Sequence, residues 1–305
     1  MAITYSNAFN SGDGLRMQRM IMQELNLTLA DPTNLLTYEG VFEVGSVDGS
    51  GSDTLSEPFA NMGYATPFSS TSDGSEVSAT DPTFSNVDFQ VGRYALRHDV
   101  TSLAEMTGGM LDPFSIAQYM VRSAIATMSN VVAGTFSSFT TSVGSSGVDL
   151  TVDDILDAIF ELEDESNTQF ACILHSVQFA DFRQSLRSES NNAFGFNQAS
   201  YDMMQAKAPG FAGEWGGVQF YKSNRVTESA GNKIGAMIGA NAIGYVLGTP
   251  TQTQLSDGRL IPAGVPAIIE YDRKPAFDLT SIIGNLYCGA AIAEDARGVK
   301  IVTDA

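Results

Sequence analysis

Residues 45–82 read GSVDGSGSDTLSEPFANMGYATPFSSTSDGSEVSATDP, a long segment rich in Gly, Ser, Thr and Asp. Apolar residues from Val41 onward predict a strand before it, and alternating apolar residues over 86–91 predict a returning strand after it. A structureless loop of that length is unusual inside a compact domain, and an isolated two-stranded ribbon is marginally stable in water. We therefore expect this ribbon to gain its order from another molecule.

Two helical segments flank the ribbon in sequence. In residues 1–36, apolar residues recur at helical spacing until Asp31-Pro32, which predicts an arm that needs a partner surface. After the ribbon, Asp112-Pro113 predicts a helix start, with Asp as the N-cap and Pro at the first position. That helix should cover residues 114–139, about 35–40 Å at about 1.5 Å per residue. Its predicted apolar face consists of Ile116, Tyr119, Met120, Met128, Val131 and Val132.

The second half of the chain has an α/β pattern. Thr151 and Asp154 resemble a capping box at the start of a helix, and the unbroken apolar run Phe170–Leu174 predicts a buried strand. Ser176 should cap the next helix. The inward side chains of that helix should be Val177, Phe179, Phe182 and Leu186. Further strands are predicted at residues 218–221, 234–238, 242–247, 265–271 and 299–302, and residues 277–292 form another apolar stretch.

Charge is distributed unevenly over the 305 residues. Residues 1–206 contain 7 Arg, no Lys and 26 acidic residues, so the whole formal charge of −19 lies there, and residues 207–305 are neutral. Such a negative field repels phosphate, which argues against sequence-specific nucleic-acid binding. The acidic surface either serves solubility, avoids binding DNA or seeks a basic neighbour.

The cysteine content and the hydropathy pattern indicate the compartment. Cys172 and Cys288 lie in apolar runs, so we expect two buried thiols and no disulfide. The sequence contains no run of 18 apolar residues, so it predicts no membrane helix. The first residues lack the pattern of a signal peptide. These features predict a protein that is made in the cytoplasm and does not enter a membrane.

Candidate catalytic residues are few. His98 and His175 are the two histidines, and neither accompanies a Gly-x-Ser-x-Gly turn or a phosphate-binding glycine loop. His175 should cap the turn between a strand and a helix. Cys172 and His175 are three residues apart on a strand, where side chains point to opposite faces, so a shared metal ion is not expected. We predict no catalytic residue, cofactor or metal.

The order of these parts resembles the major capsid proteins of tailed bacteriophages, which have the Hong Kong 97-type capsid fold. Three stretches carry the resemblance: residues 78–87 with 96–103, residues 154–186, and residues 286–299 with Leu286-Tyr287-Cys288-Gly289-Ala290-Ala291 at their start. The resemblance implies an α+β protein with an N-terminal arm (1–36), an extended loop (37–95), a peripheral domain with a spine helix (96–142), an axial domain (143–272) and a return to the peripheral domain (273–305).

The same resemblance implies self-assembly into hexamers and pentamers of an icosahedral virion shell around double-stranded DNA, built in the host cytoplasm. A separate scaffolding protein and a portal are expected partners, with a decoration protein as a further one. Some family members join the extended loop to a neighbour through a Lys–Asn isopeptide bond, but the first lysine here is Lys207. The expected inter-subunit contacts are Arg16, Arg19, Glu57, Phe59, Phe68, Glu76, Arg93, Arg97 and Arg122.

Three alternatives stay open from the sequence. An encapsulin has the same fold and encloses a cargo enzyme instead of a genome. An acidic hydrolase would use His175 with an unidentified nucleophile. A tail or surface-fibre protein would form rods or trimers instead of closed shells.

Overall fold

The computed structural model describes residues 35, 38, 40–47, 51–60, 84–103, 113–163, 170–188, 197–198, 210–248 and 267–304. These residues form two sheets, a two-stranded ribbon and three α-helices. The helices are α1 (Pro113–Thr135), α2 (Val152–Glu163) and α3 (Ser176–Ser188). The strands are β1 (Val41–Ser46), β2 (Thr54–Ala60), β3 (Phe84–Gln90), β4 (Gly92–Thr101), β5 (Ser142–Val143), β6 (Phe170–Leu174), β7 (Asn197–Gln198), β8 (Phe211–Trp215), β9 (Val218–Lys222), β10 (Thr227–Ser229), β11 (Asn232–Ile238), β12 (Ile243–Leu247), β13 (Ala267–Lys274), β14 (Leu279–Ile292) and β15 (Gly298–Asp304).

The larger sheet has eight strands in the order β5-β15-β11-β6-β9-β8-β7, with β10 paired to β11. All five residues of β6 are buried, because both faces of this sheet are covered. On one face, Cys172 and Leu174 pack with side chains of α2 and α3. On the other face, Ala171 and Ile173 pack with the end of α1. The predicted buried strand is therefore confirmed.

Helix α2 begins as the sequence predicts. The Thr151 N–H and hydroxyl donate to Asp154 Oδ2 at 2.9 and 2.6 Å, and the Asp154 N–H donates to Thr151 Oγ1 at 3.3 Å. This reciprocal pair satisfies N–H groups that a helix start otherwise leaves unpaired. The helix then buries Ile155 and Ile159 against the sheet.

The smaller sheet has five strands: β1, β12, β14 and β13 in order, with β4 also paired to β14. Strand β14 is its centre, because its 14 residues pair with β4, β12 and β13. Helix α1 packs on this sheet through Met120 and Ile125, which contact Ile282 and Leu286 of β14.

Helix α1 connects the two sheets. Its 23 residues span about 35 Å at about 1.5 Å per residue. Val132 near its far end and Phe136 just after it enter the core of the eight-stranded sheet. The predicted spine helix is confirmed but ends at Thr135 in a 3₁₀ turn (Phe136–Ser138) instead of reaching residue 139. Tyr119, predicted on its apolar face, is exposed. The predicted Asp112 cap lies outside the described residues.

The strand that begins at Val41 is not the first strand of the ribbon, which corrects the prediction. It pairs in parallel with β12 inside the five-stranded sheet, not with the returning strand. The ribbon itself consists of β2 and β3, paired antiparallel from Thr54↔Gln90 to Ala60↔Phe84. Alternation along residues 41–46 indicated a strand but carried no information about its partner, because pairing depends on distant sequence.

The sheets also cross the predicted domain boundaries. Strand β12 and most of β13 lie within residues 143–272 and belong to the five-stranded sheet, whereas β15 belongs to the eight-stranded sheet. The chain therefore passes between the two sheets more often than the five predicted segments require. Among the described helices, none has the length and apolarity that crossing a membrane requires.

Candidate assembly surfaces

The base of the ribbon is anchored on its own subunit. Phe89 of β3 is fully buried in a cluster with Val246 of the five-stranded sheet and with Ala293, which directly follows β14. Two glycines permit this close approach. A Cβ on Gly244 would lie 2.7 Å from the Phe89 ring, and one on Gly289 would lie 2.0 Å from the Gln90 carbonyl oxygen. The expectation that the whole ribbon lacks a core of its own is therefore wrong for its base.

Next to that base, the ribbon carries polar and acidic residues. Ser56 and Asp88 are exposed, and Glu57 is half-buried. Neither β2 nor β3 contains a basic residue, so no charge on these strands neutralises Glu57 or Asp88. Of the expected contact residues here, Glu57 pairs with Val87 and Phe59 with Ser85 across the ribbon. The base of the ribbon is thus fixed, and the two strands that leave it expose Ser56 and Asp88.

Arg93 is an exposed arginine held in position by a neutral partner. Its Nε and Nη2 both donate to Oδ1 of Asn285, at 3.1 and 2.8 Å. Asn285 is buried in β14, where it pairs with Ala95, two residues after Arg93 on β4. Within the described part of the chain, no carboxylate lies within ion-pair distance of Arg93. An oriented guanidinium with an unneutralised charge can bind a carboxylate of another subunit.

Arg97 differs from Arg93, because its charge is neutralised on its own strand. Its Nε and Nη2 donate to the two carboxylate oxygens of Asp99, each at 2.7 Å. The two side chains lie on the same face of β4, two residues apart. The Arg97 guanidinium lowers the pKa of Asp99. As an inter-subunit contact, Arg97 is a weaker candidate than Arg93.

The other expected contact residues are spread along the chain. Arg122 is exposed on α1. Arg16, Arg19, Phe68 and Glu76 lie outside the described residues. The structure therefore brings Arg93 and Arg97 together on β4 and shows Glu57 and Phe59 on the ribbon.

His175 is part of a helix cap. Its Nδ1 accepts the Val177 N–H at 3.3 Å, while its own N–H donates to Gln178 Oε1 at 3.0 Å. Burial, followed by the nearby Lys233 ammonium, lowers the pKa of His175, which favours the neutral ring that this cap needs. His175 therefore caps α3, which corrects the prediction that Ser176 does. In addition, Val177 is partly exposed and does not face inward.

The remaining candidates for chemistry are structural. His98 lies within β4, with its ring edge-on to Tyr119 at 5.4 Å between centroids, so the two histidines belong to different sheets. Cys172 and Cys288 are buried free thiols, as predicted. Burial raises the pKa of Cys288 to about 11, and that of Cys172 further. Neither thiol is a ready nucleophile at neutral pH.

Sequence reasoning missed two features of these surfaces. One is the glycine seat at Gly244 and Gly289, because nothing in a single sequence distinguishes these glycines from those in turns. The other is the outward face of α2, where Leu156 and Phe160 are exposed. Their signal was present, because they are four residues apart and lie on the side of the helix opposite Ile155 and Ala158.

No protein-family model matches the chain, and no curated protein matches it. Solved structures do match. The capsid of the cyanophage P-SCSP1u is 12% identical with a TM-score of 0.58, covering 87% of this chain and 86% of that one. The mature capsid of bacteriophage PhiM1 is 9% identical with a TM-score of 0.60, covering 88% and 86%. The SrpI encapsulin of Synechococcus elongatus PCC 7942 is 12% identical with a TM-score of 0.59, covering 90% and 88%.

At these identities the likeness concerns the fold. The chain has the fold that phage capsid proteins and an encapsulin share, over nearly the full length of both partners in each comparison. The predicted α+β capsid fold of Hong Kong 97 type is confirmed.

Proposed function

We propose that this chain is the major capsid protein of a tailed bacteriophage and assembles into an icosahedral shell around double-stranded DNA. The observation that carries the proposal is the ribbon. Its base is fixed to the five-stranded sheet, and its two strands pair only with each other and expose Ser56 and Asp88. Such a ribbon can lie on a neighbouring copy, which would cover its exposed residues. The fold shared with phage capsids supports the same role.

Electron microscopy of the purified protein, with sedimentation, tests the proposal. The protein alone, or with its scaffolding protein, should form rings of five and six copies and closed shells. A protein that stays monomeric across protein concentration, salt and crowding agent would contradict it. Rods or trimers would instead support the fibre alternative.

An encapsulin is the second candidate, because the match to the SrpI encapsulin covers 90% of this chain. The contents of the shell separate the two candidates. A phage shell should protect DNA from nuclease, and its gene should lie near terminase and portal genes. A gene for a cargo enzyme beside this one, with shells that contain that enzyme, would favour the encapsulin.

A hydrolase receives little support, since the ring of His175 is engaged in the cap of α3. Turnover of ester or glycoside substrates that disappears on changing His175 would revive it. A separate scaffolding protein, a portal and a decoration protein stay predictions, as does assembly in the host cytoplasm.

The shell should be held by non-covalent contacts, because residues 1–206 contain no lysine and the ribbon therefore has no amine for an isopeptide bond. Purified shells boiled in reducing detergent should migrate as a single band of monomer. A ladder of covalent oligomers would refute this expectation.

A further inference from the structure

The outward face of α2 is apolar and acidic. Leu156 and Phe160 are 48% and 67% exposed, although both are large apolar side chains. They are four residues apart and therefore adjacent on the helix surface. Three exposed carboxylates lie beside them, those of Asp153, Asp157 and Glu161, and none has an ion-pair partner in the described ranges. We call these five residues the acidic ridge.

Helix α3 carries the opposite charge. Arg183 and Arg187 are exposed, one turn apart, and neither forms an ion pair with a described residue. Lys222 lies on the same side, with its Nζ 5.4 Å from the centre of the Phe179 ring, which is one turn before Arg183. We call Arg183, Arg187 and Lys222 the basic flank.

The basic flank points away from the start of α2. Ser185 faces α2, because its hydroxyl accepts the Val152 N–H at 3.2 Å. In a helix of 3.6 residues per turn, Arg183 and Arg187 each lie about 160–200° around the axis from Ser185. The acidic ridge and the basic flank are therefore separate surfaces of one domain.

We propose that the acidic ridge of one copy binds the basic flank of a second copy. Carboxylates would meet the guanidinium groups, and the exposed Phe160 ring offers a face on which an arginine can stack. The chain itself supplies the complementary charge, so a second copy is the partner that this surface fits.

The contact would join two different surfaces, which makes it heterologous, and a heterologous contact with a closing rotation produces a ring. This inference rests on the proposed shell function and deepens it, since it assigns the eight-stranded domains to the contact within each ring.

Charge reversal tests the proposal. Asp157→Lys with Glu161→Lys places like charges opposite the basic flank, and Arg183→Glu with Arg187→Glu does the same from the other side. Each double variant should raise the protein concentration at half-assembly about a hundredfold or more. The fourfold variant contains the same substitutions with complementary charges restored, so it should assemble at close to the wild-type concentration. Electron microscopy and sedimentation report the rings and shells.

A mixture of the two double variants sharpens the test. In one variant both surfaces are basic, and in the other both are acidic. Opposite charges therefore meet only if the two chains alternate around the ring. Alternation is possible in rings of six and impossible in rings of five. The mixture should therefore form six-membered rings without closed icosahedral shells.

Leu156→Ser with Phe160→Ser tests the apolar half without changing charge. Both side chains face outward, so the thermal unfolding temperature should stay close to wild type while assembly weakens. If the charge-reversed chains do not fold, this variant tests the contact by itself, and unchanged assembly would contradict the proposal.

Unaltered assembly of the double variants, or a folded fourfold variant that does not assemble, would overturn the contact. If the Asp157→Lys, Glu161→Lys variant formed rings of normal geometry, the acidic ridge would bind a basic partner of another kind and not a second copy. That result would also contradict the inference. Failure of the wild-type chain to assemble would instead contradict the proposed function itself.

Discussion

In the eight-stranded sheet, β6 is covered on both faces by residues of the same chain. In the ribbon, β2 and β3 pair only with each other, and burial concentrates near Phe89 at their base. Cooperative packing stabilises the first region within one subunit. The second is tethered at one end and offers exposed strands that a neighbour can cover. Under the proposed function, the comparison separates the part of the chain that folds on its own from the part that a neighbouring copy would cover.

The largest effect should come from the core of the eight-stranded domain. Phe182 is fully buried and stacks on Phe220 at 4.9 Å between ring centres. Phe182→Ala should lower the free energy of unfolding by about 3–5 kcal/mol through lost burial and a cavity. Urea unfolding of the monomer measures this loss.

Phe160→Ala is the matched control for that measurement, because its ring lies on the exposed face of α2. Its unfolding free energy should stay within about 0.5 kcal/mol of wild type. Equal losses for the two variants would mean that the division between core and surface in this domain is wrong.

The glycines that contact the base of the ribbon, Gly244 and Gly289, should give the next largest effect. A side chain at Gly289 would meet the Gln90 carbonyl oxygen, so Gly289→Ala should cost about 1–3 kcal/mol and loosen β3. Urea unfolding with hydrogen exchange of residues 84–90 would show both results. Gly134→Ala on α1 is the control, since no atom lies within 4 Å of an added Cβ and alanine favours a helix. If Gly289→Ala had normal stability and normal exchange, the close contact between Gly289 and the Gln90 carbonyl oxygen would be contradicted.

The cap at His175 should give a smaller and pH-dependent effect. His175→Ala should cost about 1 kcal/mol through the lost cap, whereas His175→Asn should keep most of that stability. Since the folded-state pKa of His175 is lowered, the unfolded chain binds the proton more readily. The stability that the neutral ring provides is therefore present above the unfolded pKa of about 6.5 and is lost as the pH falls through the folded value.

Urea unfolding between pH 7 and pH 5 tests this sign. The wild type should lose more stability on acidification than His175→Asn. An identical pH dependence in the two proteins would show that His175 does not titrate as its position in the cap implies.

Shortening the ribbon should have the smallest effect on the subunit. Removing residues 62–82 leaves β2, β3 and the Phe89 cluster in place. The unfolding free energy should change by less than about 1 kcal/mol, because a longer loop adds little closure entropy. Shells should nevertheless fail to form stably, which electron microscopy would show. A subunit that no longer folds would mean that the removed segment belongs to the core.

Local patterns in the sequence predicted much of the fold. The capping box of α2, the buried run of β6 and the length of α1 all depend on residues that are near one another in sequence. The partner of β1 could not be predicted, because β12 lies about two hundred residues later and any strand of similar pattern would fit.

The candidate assembly surfaces were less predictable for a related reason. Arg93 and Arg97 look alike in the sequence, yet one binds buried Asn285 and the other binds Asp99 on its own strand. The apolar residues whose spacing identified α2 as a helix also include its exposed pair, Leu156 and Phe160. Composition cannot distinguish an apolar residue that faces a core from one that faces a neighbour.

Hydrogen–deuterium exchange of the ribbon, measured on the free subunit and on assembled shells, tests most directly whether neighbours complete the subunit. We predict that residues 54–57 and 87–91 at the base are protected in both states, while residues 59–60 and 84–85, at the far end of the two strands, become protected only in shells. Equal and strong protection of residues 59–60 and 84–85 in the free subunit would contradict this account.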